Sequence, residues 1–152
     1  MKYAHLIKTT VFSYEPENNQ HVLDAFLRLF PFNLEENKIA LKRTTAGGFN
    51  EKKIEILEAA LMKTSLINQF LENLAGHLDK SQKNQLISQS ESRLDKNLDF
   101  FIRFDKDSWI SEKKLILTDS GKGFHIKISV AAFPKKREAV LNTIKRIFNP
   151  TD

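Results

Sequence analysis

The 152-residue chain contains no cysteine, so disulfides, thiolate zinc sites and cysteine nucleophiles are excluded. No apolar run approaches the ~20 residues of a membrane-spanning helix. The first ten residues, MKYAHLIKTT, are broken by His5 and Lys8 and are not expected to act as a secretion signal. Without a signal or disulfides, the expected compartment is the cytoplasm. Motifs for nucleotide or zinc chemistry are missing: there is no GxGxxG, GxxxxGK[ST] or HExxH. His5, His21, His77 and His125 form no i, i+4 pair, so no metal site and no cofactor are expected. No repeat, low-complexity tract or linker interrupts the chain, and residues 1–152 are expected to form one domain. Tryptophan (one) and tyrosine (two) are scarce beside twelve phenylalanines, which points to a core packed with Phe.

The chain carries a net charge of +5, and its distribution is uneven. From Lys113 to Arg146, nine Lys and Arg face only Asp119 and Glu138. That stretch is +7, leaving −2 for the remainder of the +5 total. A basic C-terminal third suits a polyanionic partner, although solvated lysines are the plainer account.

Periodicity gives the elements. Residues 2–14 are rich in β-branched and aromatic types and predict a strand. Beyond Pro16, Val22, Leu23, Phe26, Leu27 and Phe30 recur at helical spacing until Pro31. Residues 38–45 alternate, and Ala46-Gly47-Gly48 reads as a turn. The segment 53–62 could be helix by composition, but its alternating Ile54, Glu55 and Ile56 favour a strand returning across that turn. Thr64-Ser65 reads as the N-cap of a helix with Leu66, Ile67, Phe70, Leu71, Leu74 and Leu78 inward. Gly76 closes it. Asp79 or Ser81 caps a second, shorter and polar helix reaching about Leu94, with Leu86, Ile87 and Leu94 inward. Leu98, Phe100, Ile102 and Phe104 then alternate with Asp99, Phe101, Arg103 and Asp105. KLILT (114–118) predicts a short strand, residues 119–123 a hairpin turn using glycine's positive φ, and residues 124–131 another strand. Pro134 is expected to open a last helix with Val140, Leu141, Ile144, Ile147 and Phe148 inward. The order β-α-β-β-α-α-β-β-β-α, with short links between strands, predicts an α+β fold. A single, largely antiparallel sheet would have its helices packed on one face.

If Phe100, Ile102, Phe104, Phe124, Ile126 and Ile128 face the helices, the other face presents Phe101, Arg103, His125, Lys127 and Ser129. Rings stack on unpaired bases while cations neutralise phosphates. Lys135, Lys136 and Arg137 at the start of the last helix are unfavourable with its macrodipole, and an anionic partner would account for them. The candidate RNA-binding residues are therefore Phe101, Arg103, His125, Lys127, Lys135, Lys136 and Arg137, with no catalytic residue. Two competing readings remain. Phe101 could anchor a protein interface, through the sheet face or a free strand edge. Alternatively, Asp99, Asp105, Asp107 and Asp119 could hold Mg²⁺ in a nuclease, although such residues equally cap turns.

Four stretches carry a resemblance: LFPF (29–32), RLDKNLDFFIRFDKDSWI (93–110), LTDSGKGFHIKI (117–128) and FPKKREAVL (133–141). They resemble the archaeal family of predicted exosome subunits and RNA-binding proteins, over about residues 3–148. The matching positions are Arg103, Phe104, Asp105 and Lys106, then Thr118, Asp119, Ser120 and Gly121. The resemblance implies a fold similar to the ribosomal protein that binds 5S ribosomal RNA. It also implies RNA as partner and a non-catalytic role, as an accessory in exosome-linked RNA processing or ribosome assembly. No catalytic motif comes with it. No membrane partner is expected, and the oligomeric state is left open.

Overall fold

The computed structural model describes residues 1–47 and 52–149. Among these residues five strands are formed: β1 (Ala4–Tyr14), β2 (Lys42–Gly47), β3 (Lys53–Leu61), β4 (Asp99–Phe104) and β5 (Phe124–Val130). Four α-helices accompany them: α1 (Asn19–Arg28), α2 (Thr64–Gly76), α3 (Lys80–Ser88) and α4 (Arg137–Ile147). The strands form one open antiparallel sheet in the order β2-β3-β1-β5-β4. The strand at 53–61 pairs back on β2 in the register Thr44↔Ile56 and Ala46↔Ile54. The ambiguous segment is thus a strand despite its helix-favouring Ala, Leu and Glu, because cross-strand pairing outweighs local propensity. Ala46 and Gly47 belong to β2, and Gly48 of the expected turn lies outside the described residues.

Alternation sets which face is covered. Phe100, Ile102 and Phe104 of β4, and Phe124, Ile126, Ile128 and Val130 of β5, are buried. The residues between them are half-buried or exposed. The same holds for Ile7, Thr9, Val11 and Ser13 of β1.

The chain divides into two compact units, and β1, β4 and β5 run through both. The first comprises Met1–Ile7, Leu61–Ile102 and the chain from Lys127 onward. Its α2 buries Leu66, Ile67, Phe70, Leu71 and Leu74 and packs on α4, which buries Val140 and Ile144. Phe148 meets Phe100 with ring centroids 6.2 Å apart, tying the end of α4 to the covered side of β4. The second unit comprises Lys8–Ala60 and Arg103–Ile126. There α1 packs on a π-helical segment, Ser108–Glu112, through Trp109. The indole Nε1 donates to Ala25 O at 2.7 Å, and the Arg28 guanidinium lies 4.6 Å from the ring centroid. Arg28 also donates to the Trp109 carbonyl.

Several local expectations change. The segment KLILT forms no strand, so the order has one strand fewer than expected. Only Leu117 bridges to Phe104, because the π segment redirects the chain after β4. Helix α2 begins at Thr64, and its N-cap is Lys63, which makes no side-chain cap bond, in place of Thr64 or Ser65. Asp79 does cap α3, in a reciprocal box with Gln82, but the helix ends at Ser88, short of Leu94. Leu98 is not a strand residue. At φ 65 it closes a turn in which the Asp95 carboxylate accepts from Asn97 N and Asp99 N. Helix α4 starts three residues after Pro134, so Lys135 and Lys136 precede it and only Arg137 is helical. The turn glycines do not supply a positive φ. Gly123 is required for close approach instead, since a Cβ there would lie 2.1 Å from Phe104 O.

Candidate nucleic-acid interface

In the second unit, the uncovered side of β1 carries Lys8, Thr10, Phe12 and Tyr14, the positions opposite its buried Thr9, Val11 and Ser13. Phe12 is 36% exposed and meets Tyr14 edge-on, with centroids 6.2 Å apart and planes at 80°. Two ammonium groups lie over the Tyr14 ring, Lys106 at 5.1 Å and Lys122 at 5.8 Å from its centroid. They differ in role. Lys106 is buried and committed, donating to Phe12 O and to Glu17 Oε1 at 3.0 Å. A buried ammonium needs such partners to offset its desolvation, and here they fix the end of β1. Lys122 is exposed, on the loop before β5, and free to turn toward an anion. The result is a partly exposed phenyl ring, braced by a tyrosine, near a solvated cation.

That loop also orders two residues identified from the sequence. Arg103 Nη1 donates to Asp119 O at 3.3 Å, and His125 Nε2 lies 2.9 Å from Gly121 O. Both belong to the uncovered side of their strands, with Arg103 exposed and His125 half-buried. Lys8 is paired there with Glu58 at 3.1 Å.

The first unit holds the other five. Phe101 is 38% exposed on β4. Lys127 of β5 is half-buried, its ammonium 3.6 Å from Asp99 Oδ2, so part of its charge is offset. Arg137 is occupied, donating to Glu91 Oε2 at 2.8 Å and to the Glu91 and Leu94 carbonyls. It fastens the start of α4 to the segment after α3. Lys135 and Lys136 are exposed.

The outer edge of β4 is not open for pairing. Phe101 N donates to Arg93 O at 2.9 Å, Thr118 N to Arg103 O at 3.0 Å and Asp105 N to Ile116 O at 2.7 Å. The acidic residues do not converge: among the described residues no three His, Asp or Glu side chains are arranged to hold a metal ion. Asp105 instead accepts from both the backbone and the hydroxyl of Ser108, at 2.9 and 2.6 Å. These bonds hold its carboxyl below the usual carboxylate range.

Sequence reading missed Phe12, Tyr14 and Lys122. The signal was present in the strict alternation of Lys8, Thr10, Phe12 and Tyr14 against Ile7, Thr9, Val11 and Ser13. It was hidden because Thr9 and Ser13, the inward residues, are polar, so hydropathy does not mark the inward side.

Residues 6–130 match the family model described as RNA binding. Over 143 residues the chain is 31% identical to the RNA-binding protein PAB1135 of Pyrococcus abyssi, covering 93% of this chain and 92% of that one. Two crystal or solved structures, both described as DUF54 proteins, share the fold. Protein AF2318 from Archaeglobus fulgidus superposes with a TM-score of 0.81 at 26% identity, covering 95% of this chain and 99% of that one. Mth689 from Methanothermobacter thermautotrophicus superposes with a TM-score of 0.76 at 25% identity, covering 96% and 98%.

Proposed function

Since this chain belongs to the RNA-binding family, we propose that it binds RNA on the uncovered side of its sheet, without catalysing a reaction on it. The observation that carries this reading is the Phe12–Tyr14 pair with the exposed Lys122 beside it. Phe12 offers a face to an unpaired base, and Lys122 and Arg103 meet the phosphates. The tyrosine, flanked by two ammonium groups, serves to position Phe12. Phe101 and Lys127 bring the same two residue types to the first unit, and Lys135 and Lys136 add exposed positive charge there. His125 and Arg137 act by ordering their surroundings. The names of the family and of its Pyrococcus relative point to binding and not to catalysis. An accessory role in exosome-linked RNA processing or in ribosome assembly is the setting we propose for this binding.

The test is fluorescence anisotropy with a labelled oligouridine and with a structured RNA, read as a function of salt. Affinity should fall steeply as salt rises, because bound phosphates release counterions. Phe12→Ala and Lys122→Glu should each weaken binding by about tenfold. Unchanged affinity in both variants would remove this site. A partner protein retained on the immobilised chain after nuclease treatment, with no RNA affinity, would favour the interaction-module reading instead.

A further inference from the structure

We infer that the first unit contains a separate nucleotide cleft, which takes one residue of single-stranded RNA with its base on Phe133 and its phosphate on Lys2 and Arg146. This rests on the RNA-binding reading and adds a site that shares no residue with the β1 ring pair.

The cleft has a volume of about 570 Å³. Its walls include Lys2, His5, Phe133, Asn142, Thr143 and Arg146, with alanines between them and no acidic side chain. Phe133 is fully exposed, the most exposed of the large apolar side chains among the described residues. A phenyl ring held in water at the mouth of a cationic cleft is poorly placed for stability and well placed for stacking. The charges around it differ from three others that are held by carboxylates. Lys8, Lys127 and Arg137 each face a carboxylate. Lys2, Lys135, Lys136 and Arg146 form no ion pair among the described residues. Lys135 and Lys136 come just beyond Pro134, which follows the ring, and add exposed positive charge nearby in sequence. The Thr143 hydroxyl already donates to Ala139 O at 3.1 Å. Asn142 is exposed, and its amide carries the donor and acceptor that a base edge needs.

The experiment uses the whole chain with two probes, an oligouridine of about ten nucleotides and uridine 5′-monophosphate. Anisotropy reads the oligonucleotide, and backbone-amide NMR shifts read both. Phe133→Ala should weaken oligouridine binding about tenfold. Lys2→Glu with Arg146→Glu should do the same and lower the salt slope by about two. All three side chains are exposed, so the melting temperature should not move. The amides of Phe133, Asn142 and Arg146 should shift with either probe. RNA binding that is equal in wild type and Phe133→Ala, with these amides unmoved, overturns the cleft and leaves the sheet site standing. Amide shifts with the monophosphate but no RNA affinity retain the cleft as a nucleotide site and overturn the RNA reading. Silence with both probes overturns both. Sedimentation of the wild type with phosphatidylserine vesicles, but not of Phe133→Ala, would assign the ring to a lipid surface and refute the cleft.

Discussion

Gly121 and Gly123 stand two residues apart in one loop, yet alanine should be tolerated at one and not at the other. At Gly121 a Cβ meets nothing within 4 Å, and no glycine among the described residues has a positive φ. Alanine there restricts the unfolded chain without straining the folded one, so Gly121→Ala should be neutral or stabilising by about 0.4–1 kcal/mol. At Gly123 the Cβ would lie 2.1 Å from Phe104 O and 3.1 Å from Phe104 C. These are backbone atoms of a strand and cannot swing aside as a side-chain tip can. Overpacking of this kind costs about 1–3 kcal/mol. For a chain of this size each kcal/mol moves the melting temperature by about 2–4 °C, so Gly123→Ala should melt about 2–12 °C below wild type. Relief of the clash must move the loop that carries Lys122 and the carbonyls bonded to Arg103 and His125. RNA affinity of Gly123→Ala should therefore fall even at temperatures where the variant is fully folded. Calorimetry of the two variants beside wild type checks the first point, and anisotropy at 20 °C below the melting transition checks the second. Equal melting temperatures for Gly121→Ala and Gly123→Ala would refute the close-approach argument.

Charge, acid and core variants test the remaining features. Lys127→Glu with Lys136→Glu should weaken RNA binding and lower the melting temperature modestly, since a second carboxylate would face Asp99, and unaltered affinity in the folded variant would remove those lysines from the interface. Asp105 is held below its ordinary pKa by Ser108, so its contribution to stability is present above the unfolded carboxylate pKa, about 4, and is lost as pH falls through the lower folded value. Acid unfolding followed by circular dichroism should accordingly be less steep in Ser108→Ala, and an identical profile would refute the pairing. Trp109→Phe keeps most of the buried surface but leaves Ala25 O without its indole donor, which should cost about 1–3 kcal/mol in urea unfolding; a smaller change would mean that water replaces the bond.

Much of the architecture was legible in local sequence because periodicity is a local property. The alternation of Phe100, Ile102 and Phe104, and of Phe124, Ile126 and Ile128, determined which side of β4 and β5 is buried, and hence that Phe101 and Arg103 look outward. The stripes of α2 and α4, the Asp79 cap and the return of the 53–61 strand onto β2 followed equally from residue spacing, although Ala46 and Gly47 lie in β2 and not in the expected turn. The strand expected at 114–118 did not form, because an apolar run pairs only if the chain brings it alongside a neighbour, and the π segment after β4 lets just Leu117 reach Phe104. Which cations stay available was likewise a matter of distance in space: Asp99 sits on Lys127, and Glu91 on Arg137, across gaps in sequence that composition cannot register. Sequence alone thus determined the sheet's two faces and the excess of positive charge. Tertiary contacts decided which of those charges remain unpaired and which rings, Phe12 and Phe133, stand open beside them, because burial and ion pairing depend on neighbours that only folding brings together.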